Sequence, residues 1–170
     1  MRLFFALVPD EALRLALGER ARALAAALGG RAVPAHNVHL TLAFLGEVER
    51  ARVPALHDIL DAMPRDGFAL ALDCVGEWPR AGVAWIAPRI VPAPLAVLHA
   101  ALAAALRVQG FAVEARPFHP HITLVRRPSR RLADKPANTL LWRVGRLSLM
   151  RTETAGGAVR YREDAAVTLA

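Results

Sequence analysis

The first thirty residues carry a strand pattern followed by a helix pattern. Residues 2–8 are almost entirely apolar and lead into Pro9-Asp10, which is typical of a buried strand that precedes a helix start. Leucines then recur at helical spacing, at positions 13, 17, 24 and 28, before Gly29-Gly30. Because glycine is common just after a helix, the pattern predicts a helix of about five turns that ends there.

The same alternation of patterns continues through the middle of the chain. Residues 38–44 predict a second strand, and residues 50–63 predict a second helix. Two further strands are predicted at 67–75 and 82–87. A third helix is predicted between a proline start and Gly110, because its leucines fall on one face. These are Leu95, Leu98, Leu102 and Leu106.

The last third of the chain has the pattern of a loop and a hairpin. A basic loop that contains proline is predicted over 126–138. A strand near 140–151, a turn at Gly156-Gly157 and a last strand near 158–168 then predict a β-hairpin.

An internal repeat relates the two halves of the chain. Residues 30–42 and 110–124 share Gly-x-Ala-Val-x-Ala followed by His-aliphatic-Thr-Leu, and each segment comes after a long helix. Strands and helices do not alternate regularly enough for a doubly wound parallel sheet. We therefore predict an α+β fold of two pseudo-twofold-related lobes, each a small, mainly antiparallel sheet backed by helices, around a central cleft. Residues 1–170 are expected to form this single bilobal domain.

The repeated motif places polar side chains on one face of each strand. Residues two apart in a strand point the same way, so His39 and Thr41 project together, away from Leu40. His121 and Thr123 have the same relation in the second copy. A lone strand histidine is usually structural, but two copies in phase predict that both polar faces meet across the cleft.

Two imidazoles and two hydroxyl groups around one cleft suit phosphoryl chemistry without a metal. The unperturbed pKa of histidine lies near neutral pH, so one imidazole can act as a base and the other as an acid. Threonine hydroxyls can donate hydrogen bonds to phosphate oxygens as charge develops. The candidates are catalytic His39 and His121, with Thr41 and Thr123 as phosphate-binding residues.

These motifs resemble those of a known family. HLTLAFLG at 39–46 and PHITLVR at 120–126, preceded by RLFFALVPDEAL at 2–13, are similar to the paired His-x-Thr-x motifs of the 2H phosphoesterase superfamily. Within it they resemble most the LigT-type RNA 2′,3′-cyclic phosphodiesterases, also called 2′-5′ RNA ligases. The resemblance spans essentially the whole chain.

The resemblance implies an activity and a set of roles. It implies metal-independent hydrolysis, with no cofactor, of RNA 2′,3′-cyclic phosphate ends or cyclic nucleotides to 2′-phosphates, with reversible 2′-5′ RNA ligation as a further activity to test. By the family's assignment, His39 donates a proton to the leaving 3′-oxygen and His121 activates water. Arg126 matches a basic residue that often follows the second motif and would bind the phosphate.

Strand parity bears on three further residues. Arg126 is two residues after Leu124, so in a regular strand both side chains would point to the same side. Arg126 can therefore reach the cleft only if the strand ends or bulges before it. Phe44 is two residues after Leu42 and would point to the same side of a regular strand, so it is predicted to lie in the core rather than to stack on a base. Tyr161 resembles an aromatic residue of the family's last hairpin and is predicted to pack in the sheet.

Composition bears on partners and compartment. The net charge is +7, and Lys135 is the only lysine among 22 basic residues. Arginine-rich surfaces suit phosphate partners, including RNA. The apolar runs are too short to span a membrane, and the N-terminus predicts a strand rather than a signal peptide. Because the lone Cys74 cannot form an internal disulfide, we expect a cytoplasmic location. We also expect a monomer without an obligatory protein partner.

Two other hypotheses remain open from the sequence. His36 and His119 bring four histidines near the cleft, and His-x-His on a strand also suits zinc, so a metallohydrolase is one alternative. A non-catalytic, basic RNA-binding module is the other, although arginine and aromatic residues would serve binding without histidines. His57 and His99 lie on predicted helices and are interpreted as structural.

Overall fold

The computed structural model describes residues 1–132 and 135–170, and within these ranges the chain forms three α-helices and nine β-strands. The helices are α1 (Glu11–Leu28), α2 (Val53–Asp61) and α3 (Ala93–Val108). The strands are β1 (Arg2–Leu7), β2 (Arg31–Ala32), β3 (Leu40–Glu47), β4 (Phe68–Trp78), β5 (Val83–Ala87), β6 (Ile122–Arg126), β7 (Lys135–Val144), β8 (Arg146–Ala155) and β9 (Ala158–Thr168). In the described part of the chain, none of the helices has the length and apolar character to cross a membrane.

All the strands join in one antiparallel sheet, with the order β7-β4-β5-β6-β3-β1-β8-β9 and β2 added beside β6. The motif strands β3 and β6 meet at its centre through the pair Leu40–Ile122. Four strands extend to each side of this joint, namely β3-β1-β8-β9 and β6-β5-β4-β7. The predicted α+β fold with two related, mainly antiparallel halves is confirmed, and the halves are joined edge to edge.

The long helices cover one face of this sheet at its centre. Helix α1 packs against β6 and α3 packs against β3, while α2 packs against β8 and β9. Leu17 of α1 and Leu102 of α3 lie in one buried core with Leu40 and Ile122. The aliphatic side of both motif strands therefore faces the helices, and the side that carries His and Thr is turned the other way.

The ends of α1 are set by local chemistry. Asp10 caps its start, because the side chain accepts a hydrogen bond of 2.8 Å from Leu13 N. Past its end, Gly30 has a φ of 87°, and a Cβ at this position would lie only 2.6 Å from Arg126 O. Glycine is the residue that tolerates both the positive φ and the close approach. The Gly29-Gly30 pair thus ends the helix and brings it against the second motif strand.

The C-terminal part differs from the prediction. The strand predicted at 140–151 is wrong, because β7 ends at Val144, Gly145 intervenes, and β8 follows. Strand β7 pairs with β4 in one half of the sheet, whereas β8 pairs with β1 in the other half. The apolar pattern gives no sign of a change in pairing partner. The predicted hairpin of β8 and β9 is confirmed.

The predicted basic loop is shorter than expected. Arg126 is the last residue of β6, and Lys135 is the first residue of β7. Strand pairing with β4 therefore extends into the segment that was predicted to be loop. Ala133 and Asp134, which the loop prediction included, lie outside the described residues.

Candidate active site

Both motif strands bulge at the leucine of the motif. In the pairing of β1 with β3, Phe5 faces Ala43 and Ala6 faces Thr41, so Leu42 has no counterpart. In the pairing of β5 with β6, Ala84 faces Val125 and Trp85 faces Thr123, so Leu124 is the extra residue. A bulge of one residue reverses the alternation of faces beyond it. The fifth residue after each histidine, Phe44 or Arg126, therefore turns to the histidine side.

The polar faces of the two motifs line one cleft of about 680 Å³ at the centre of the sheet. This confirms that the repeat brings its two copies together. The bulge that the parity argument required for Arg126 is present. The five predicted site residues lie in the cleft wall, together with five other positively charged or aromatic side chains. The predicted site residues are His39, Thr41, His121, Thr123 and Arg126, and the others are Arg2, Phe4, Arg31, Phe44 and Tyr161.

Both imidazoles are held by a main-chain carbonyl two residues earlier. His39 Nδ1 lies 2.7 Å from the carbonyl oxygen of Asn37, and His121 Nδ1 lies 2.8 Å from that of His119. Because a carbonyl oxygen can only accept, each Nδ1 must carry a hydrogen and donate it. This arrangement fixes the tautomer and leaves Nε2 of each ring for proton transfer.

The Thr41 hydroxyl links the proton on His39 to the binding of an anion. His39 Nε2 lies 3.1 Å from Thr41 Oγ1. When His39 is neutral, Nε2 accepts the hydrogen of the hydroxyl group. When His39 is protonated, Nε2 donates to Thr41 Oγ1, and the hydroxyl hydrogen is free to bind a phosphate oxygen. Protonation of His39 and phosphate binding therefore favour each other.

Aromatic rings pack against both histidines. The rings of Phe4 and Tyr161 each lie 4.9 Å from the His39 ring, and the Trp78 ring lies 4.4 Å from that of His121 in an edge-to-face arrangement. These contacts restrict the rotation of the imidazoles. They also remove water from one side of each ring, which makes a positive charge there more costly.

Burial favours the neutral form of both histidines in the free protein. Burial lowers the pKa of His39 to about 4, and the positive charge of Arg126 and the nearby His121 add to the effect. Burial also lowers the pKa of His121; the hydrogen bond to the His119 carbonyl oxygen opposes this effect, and the charge of the His119 ring adds a smaller lowering. A proton donor must be protonated before it can act. If His39 is that donor, the bound substrate has to raise its pKa.

Asn37 is a site residue that the sequence interpretation missed. Its side chain is only 7% exposed, and its Nδ2 donates to Val159 O at 2.8 Å while its Oδ1 accepts from Tyr161 N at 3.1 Å. Asn37 thus fastens β9 to the first motif, while its own carbonyl oxygen holds His39. The sequence shows only an asparagine two positions before the histidine, and the partners of its side chain are more than 120 residues away.

Two aromatic residues differ from their prediction. The core position predicted for Phe44 is wrong, since the side chain is 53% exposed and lies in the cleft wall. The physical reason is the bulge at Leu42, which parity counting could not detect. Tyr161 does pack on the sheet, as predicted, through edge contact with Phe4, but it also contacts the ring of His39.

The other histidines lie apart from the cleft wall. The side chains of His36 and His119 are exposed, and His36 borders a smaller pocket of about 350 Å³ beside the cleft. His57 Nε2 lies 3.0 Å from Asp164 Oδ2, and His99 stacks on a phenylalanine ring. Within residues 1–132 and 135–170, no three His, Cys, Asp or Glu side chains are grouped as a metal site would require.

The sequence of this chain is similar to those of known proteins. The model of the 2′-5′ RNA ligase superfamily matches residues 9–156. The RNA 2′,3′-cyclic phosphodiesterase of Escherichia coli (strain K12) is 38% identical over 133 residues, which cover 78% of this chain and 76% of that protein. The protein of the same name from Thermus thermophilus is 31% identical over 166 residues, which cover 90% of this chain and 82% of the relative.

Solved structures agree over the full length. Escherichia coli LigT complexed with 3′-AMP has a TM-score of 0.87 at 35% identity, covering 99% of this chain and 97% of that chain. A structure described as a phosphoesterase has a TM-score of 0.88, also at 35% identity and with the same coverage. With its paired motifs in one cleft, a fold shared over its whole length and a family model that matches most of its residues, this chain belongs to the 2′-5′ RNA ligase superfamily.

Proposed function

We propose that this chain is an RNA 2′,3′-cyclic phosphodiesterase, which opens the cyclic phosphate at an RNA end or on a nucleotide and leaves a 2′-phosphate. The observation that carries the proposal is the symmetry of the cleft, where two imidazoles of fixed tautomer stand beside two threonine hydroxyls. The relatives that bear this activity in their names support it. We further propose that residues 1–170 act as one two-lobed unit.

The reaction needs one proton acceptor and one proton donor. A water oxygen forms a bond to phosphorus as the bond from phosphorus to the 3′-oxygen breaks. In the family's assignment, His121 Nε2 takes the proton of the water and His39 Nε2 gives a proton to the 3′-oxygen. The product is a 2′-phosphate beside a free 3′-hydroxyl, and solvent returns both histidines to their starting states.

The remaining site residues bind the phosphate. Thr41 and Thr123 would donate hydrogen bonds to its non-bridging oxygens, and Arg126 would balance the negative charge that builds up on them. The same geometry would accept an RNA 5′-hydroxyl in place of water, which makes reversible 2′-5′ ligation part of the proposal. We place the reaction in the cytoplasm, where the lone Cys74 would stay reduced.

The test uses RNA that ends in a 2′,3′-cyclic phosphate, incubated with the purified protein in EDTA. We expect complete conversion to the 2′-phosphate, identified by phosphorus NMR, at the same rate with and without the chelator. A rate that is lost in EDTA and restored by zinc would support the metallohydrolase instead. Tight RNA binding without turnover would support the binding module.

A further inference from the structure

Arg31 lies in the wall of the cleft, but the proposed reaction gives it no role. It is the first residue of β2, which follows the glycine pair that ends α1, and its side chain is exposed. In the pairing of β2 with β6, Arg31 faces Arg126. Side chains that face each other on antiparallel strands have Cβ atoms about 5 Å apart. Two arginines of the cleft wall therefore stand side by side.

This pair of like charges is unfavourable for the fold. Charges of one sign that face each other on neighbouring strands destabilise a sheet. Other exposed arginines lie beside a carboxylate, as Arg89 does at 3.2 Å from Asp73. In the two described ranges of the chain, neither Arg31 nor Arg126 forms an ion pair. Their positive charge is therefore available to a ligand in the cleft.

The second copy of the repeat shows that the fold does not need a charge at this position. Arg31 follows Gly30 in the first copy, and Phe111 follows Gly110 in the second. Phe111 is only 8% exposed and packs in the hydrophobic core. The repeat is therefore asymmetric here, because one copy has a buried ring and the other has a cation beside Arg126 in the cleft wall.

The cleft has room for more than the reacting phosphate. Its wall includes Val33 and Pro34, which follow β2, and Val159 from the hairpin of β8 and β9. Asn37 holds these two segments together, because its side chain donates to Val159 O at 2.8 Å. A volume of about 680 Å³ is of the size that takes a whole small ligand.

An RNA end offers two phosphorus centres to the two arginines. The terminal nucleotide carries the cyclic phosphate on its 2′- and 3′-oxygens, and a phosphodiester on the 5′-carbon of the same ribose joins it to the rest of the RNA. A nucleoside 2′,3′-cyclic phosphate lacks the second group. Since Arg126 is assigned to the reacting phosphate, Arg31 on the neighbouring strand is left for the phosphodiester.

We propose that Arg31 binds the phosphodiester on the 5′ side of the nucleotide that carries the cyclic phosphate. Its planar guanidinium can donate two parallel hydrogen bonds to the phosphate oxygens, and the bound negative charge offsets the repulsion between Arg31 and Arg126. This contact makes the protein more efficient on RNA ends than on single nucleotides. Because a phosphate carries no sequence information, the contact favours no particular base. The proposal rests on the cyclic phosphodiesterase function for its choice of substrate.

The first experiment measures turnover of three substrates. They are adenosine 2′,3′-cyclic phosphate, the same nucleotide with a 5′-phosphate, and a dinucleotide of adenosine that ends in the cyclic phosphate. Arg31→Gln should lower kcat/KM by about tenfold, mainly through KM, for the two substrates with a phosphate on the 5′-carbon. Arg31→Lys should retain part of this efficiency, because lysine keeps the charge but not the paired hydrogen bonds.

The control is Arg22→Gln, which removes the same charge from the exposed surface of α1, away from the cleft wall. On adenosine 2′,3′-cyclic phosphate, Arg31→Gln should have no larger effect than this control. Equal losses on all three substrates, or no loss on any of them, would overturn the proposal. A loss confined to the dinucleotide would also overturn it, because Arg31 would then contact the second nucleoside rather than the phosphate.

The second experiment does not depend on turnover. By calorimetry, Arg31→Gln should weaken the binding of adenosine 2′,5′-bisphosphate by about tenfold, and should change that of adenosine 2′-phosphate no more than Arg22→Gln does. The slope of log Kd for the bisphosphate against log salt concentration should fall by about 1. A wild-type protein that shows this difference in binding but opens no cyclic phosphate would refute the proposed reaction and keep the phosphodiester site. Unchanged bisphosphate binding in Arg31→Gln would refute the phosphodiester site alone.

Discussion

Filling the cleft with a phosphate should raise the pKa of His39 by several units. In the free protein this pKa is about 4, so at pH 7 only about one molecule in a thousand carries the proton. The family's assignment nevertheless makes His39 the proton donor. The two statements are compatible only if binding of the anion raises the pKa of His39 enough for the ring to take up a proton.

The size of the change follows from simple electrostatics. A single negative charge at about 4 Å from the imidazolium, with an effective dielectric constant near 20, stabilises it by about 4 kcal/mol. Since one pKa unit corresponds to about 1.4 kcal/mol, the pKa should rise by about 3 units, to near 7. The Thr41 hydroxyl acts in the same direction, because it can turn toward the phosphate once His39 Nε2 donates to it. The charge of Arg126, which opposes protonation, is partly balanced by the same anion.

The measurement is a pH titration of the histidine ring signals by NMR, in the free protein and with the cleft saturated by adenosine 2′-phosphate or inorganic phosphate. His39→Gln identifies the signal that belongs to this residue. Calorimetry in buffers of different ionisation enthalpy should show proton uptake on binding between pH 5 and 7. The free protein should show the transition of His39 near pH 4.

One result would refute this account. If the pKa of His39 stays below about 5 while phosphate is demonstrably bound, His39 cannot supply a proton efficiently at neutral pH. The roles would then be reversed, with His39 as the base and His121 as the donor. The paired-histidine mechanism would survive, but the family's assignment of roles would not hold for this chain.

Four further predictions concern the cleft and the stability of the fold. His39→Ala and His121→Ala should each remove most of the turnover, and the double variant should be little slower than the worse single variant, because acid and base act in one step; multiplicative losses would contradict this. His119→Ala should cost far less activity than His121→Ala, because only its carbonyl oxygen contacts the neighbouring ring; equal losses would favour a metal site. Asn37→Ala should lower the free energy of unfolding by about 1–3 kcal/mol, since it leaves two main-chain groups of β9 without their partner. It should also lower kcat and shift the pH profile of the activity. A change in stability alone, with an unchanged pH profile, would argue against a positioning role. Folding lowers the pKa of His39 from 6.5 to about 4, so the unfolded chain binds this proton more readily between these two pH values. The free energy of unfolding should therefore be highest above pH 6.5 and should decrease by up to about 3 kcal/mol as the pH falls to 4. Urea unfolding at several pH values should show a smaller decrease in His39→Gln than in the wild type.

The sequence by itself determined the elements that repeat at short range. The spacing of leucines predicted α1 and α3, because one apolar stripe on a helix has to be buried. The His-x-Thr alternation placed His39, Thr41, His121 and Thr123 on the faces opposite the helices, because side chains in a strand alternate between its two sides. Since the motif occurred twice, the meeting of its copies in one cleft could also be predicted.

Tertiary structure decided the features that depend on pairing between distant segments. The change of partner between β7 and β8 left no trace in the hydrophobic pattern, because buried apolar residues continue on both sides of Gly145, at Val144 and Leu147. The bulges at Leu42 and Leu124 exist only in relation to the neighbouring strands. The regular alternation of sides along a strand therefore placed Phe44 in the core and left open whether Arg126 points into the cleft.

The chemistry of the histidines also depends on distant parts of the chain. Asn37 can fasten the first motif only because β9, more than 120 residues later, returns beside it. The pKa of His39 is lowered by burial, and Arg126 from the other half adds to this effect. Local sequence determines which side chains can transfer a proton, whereas the solvent and charges around them, which determine their pKa, are set by the packing of residues far apart in the chain.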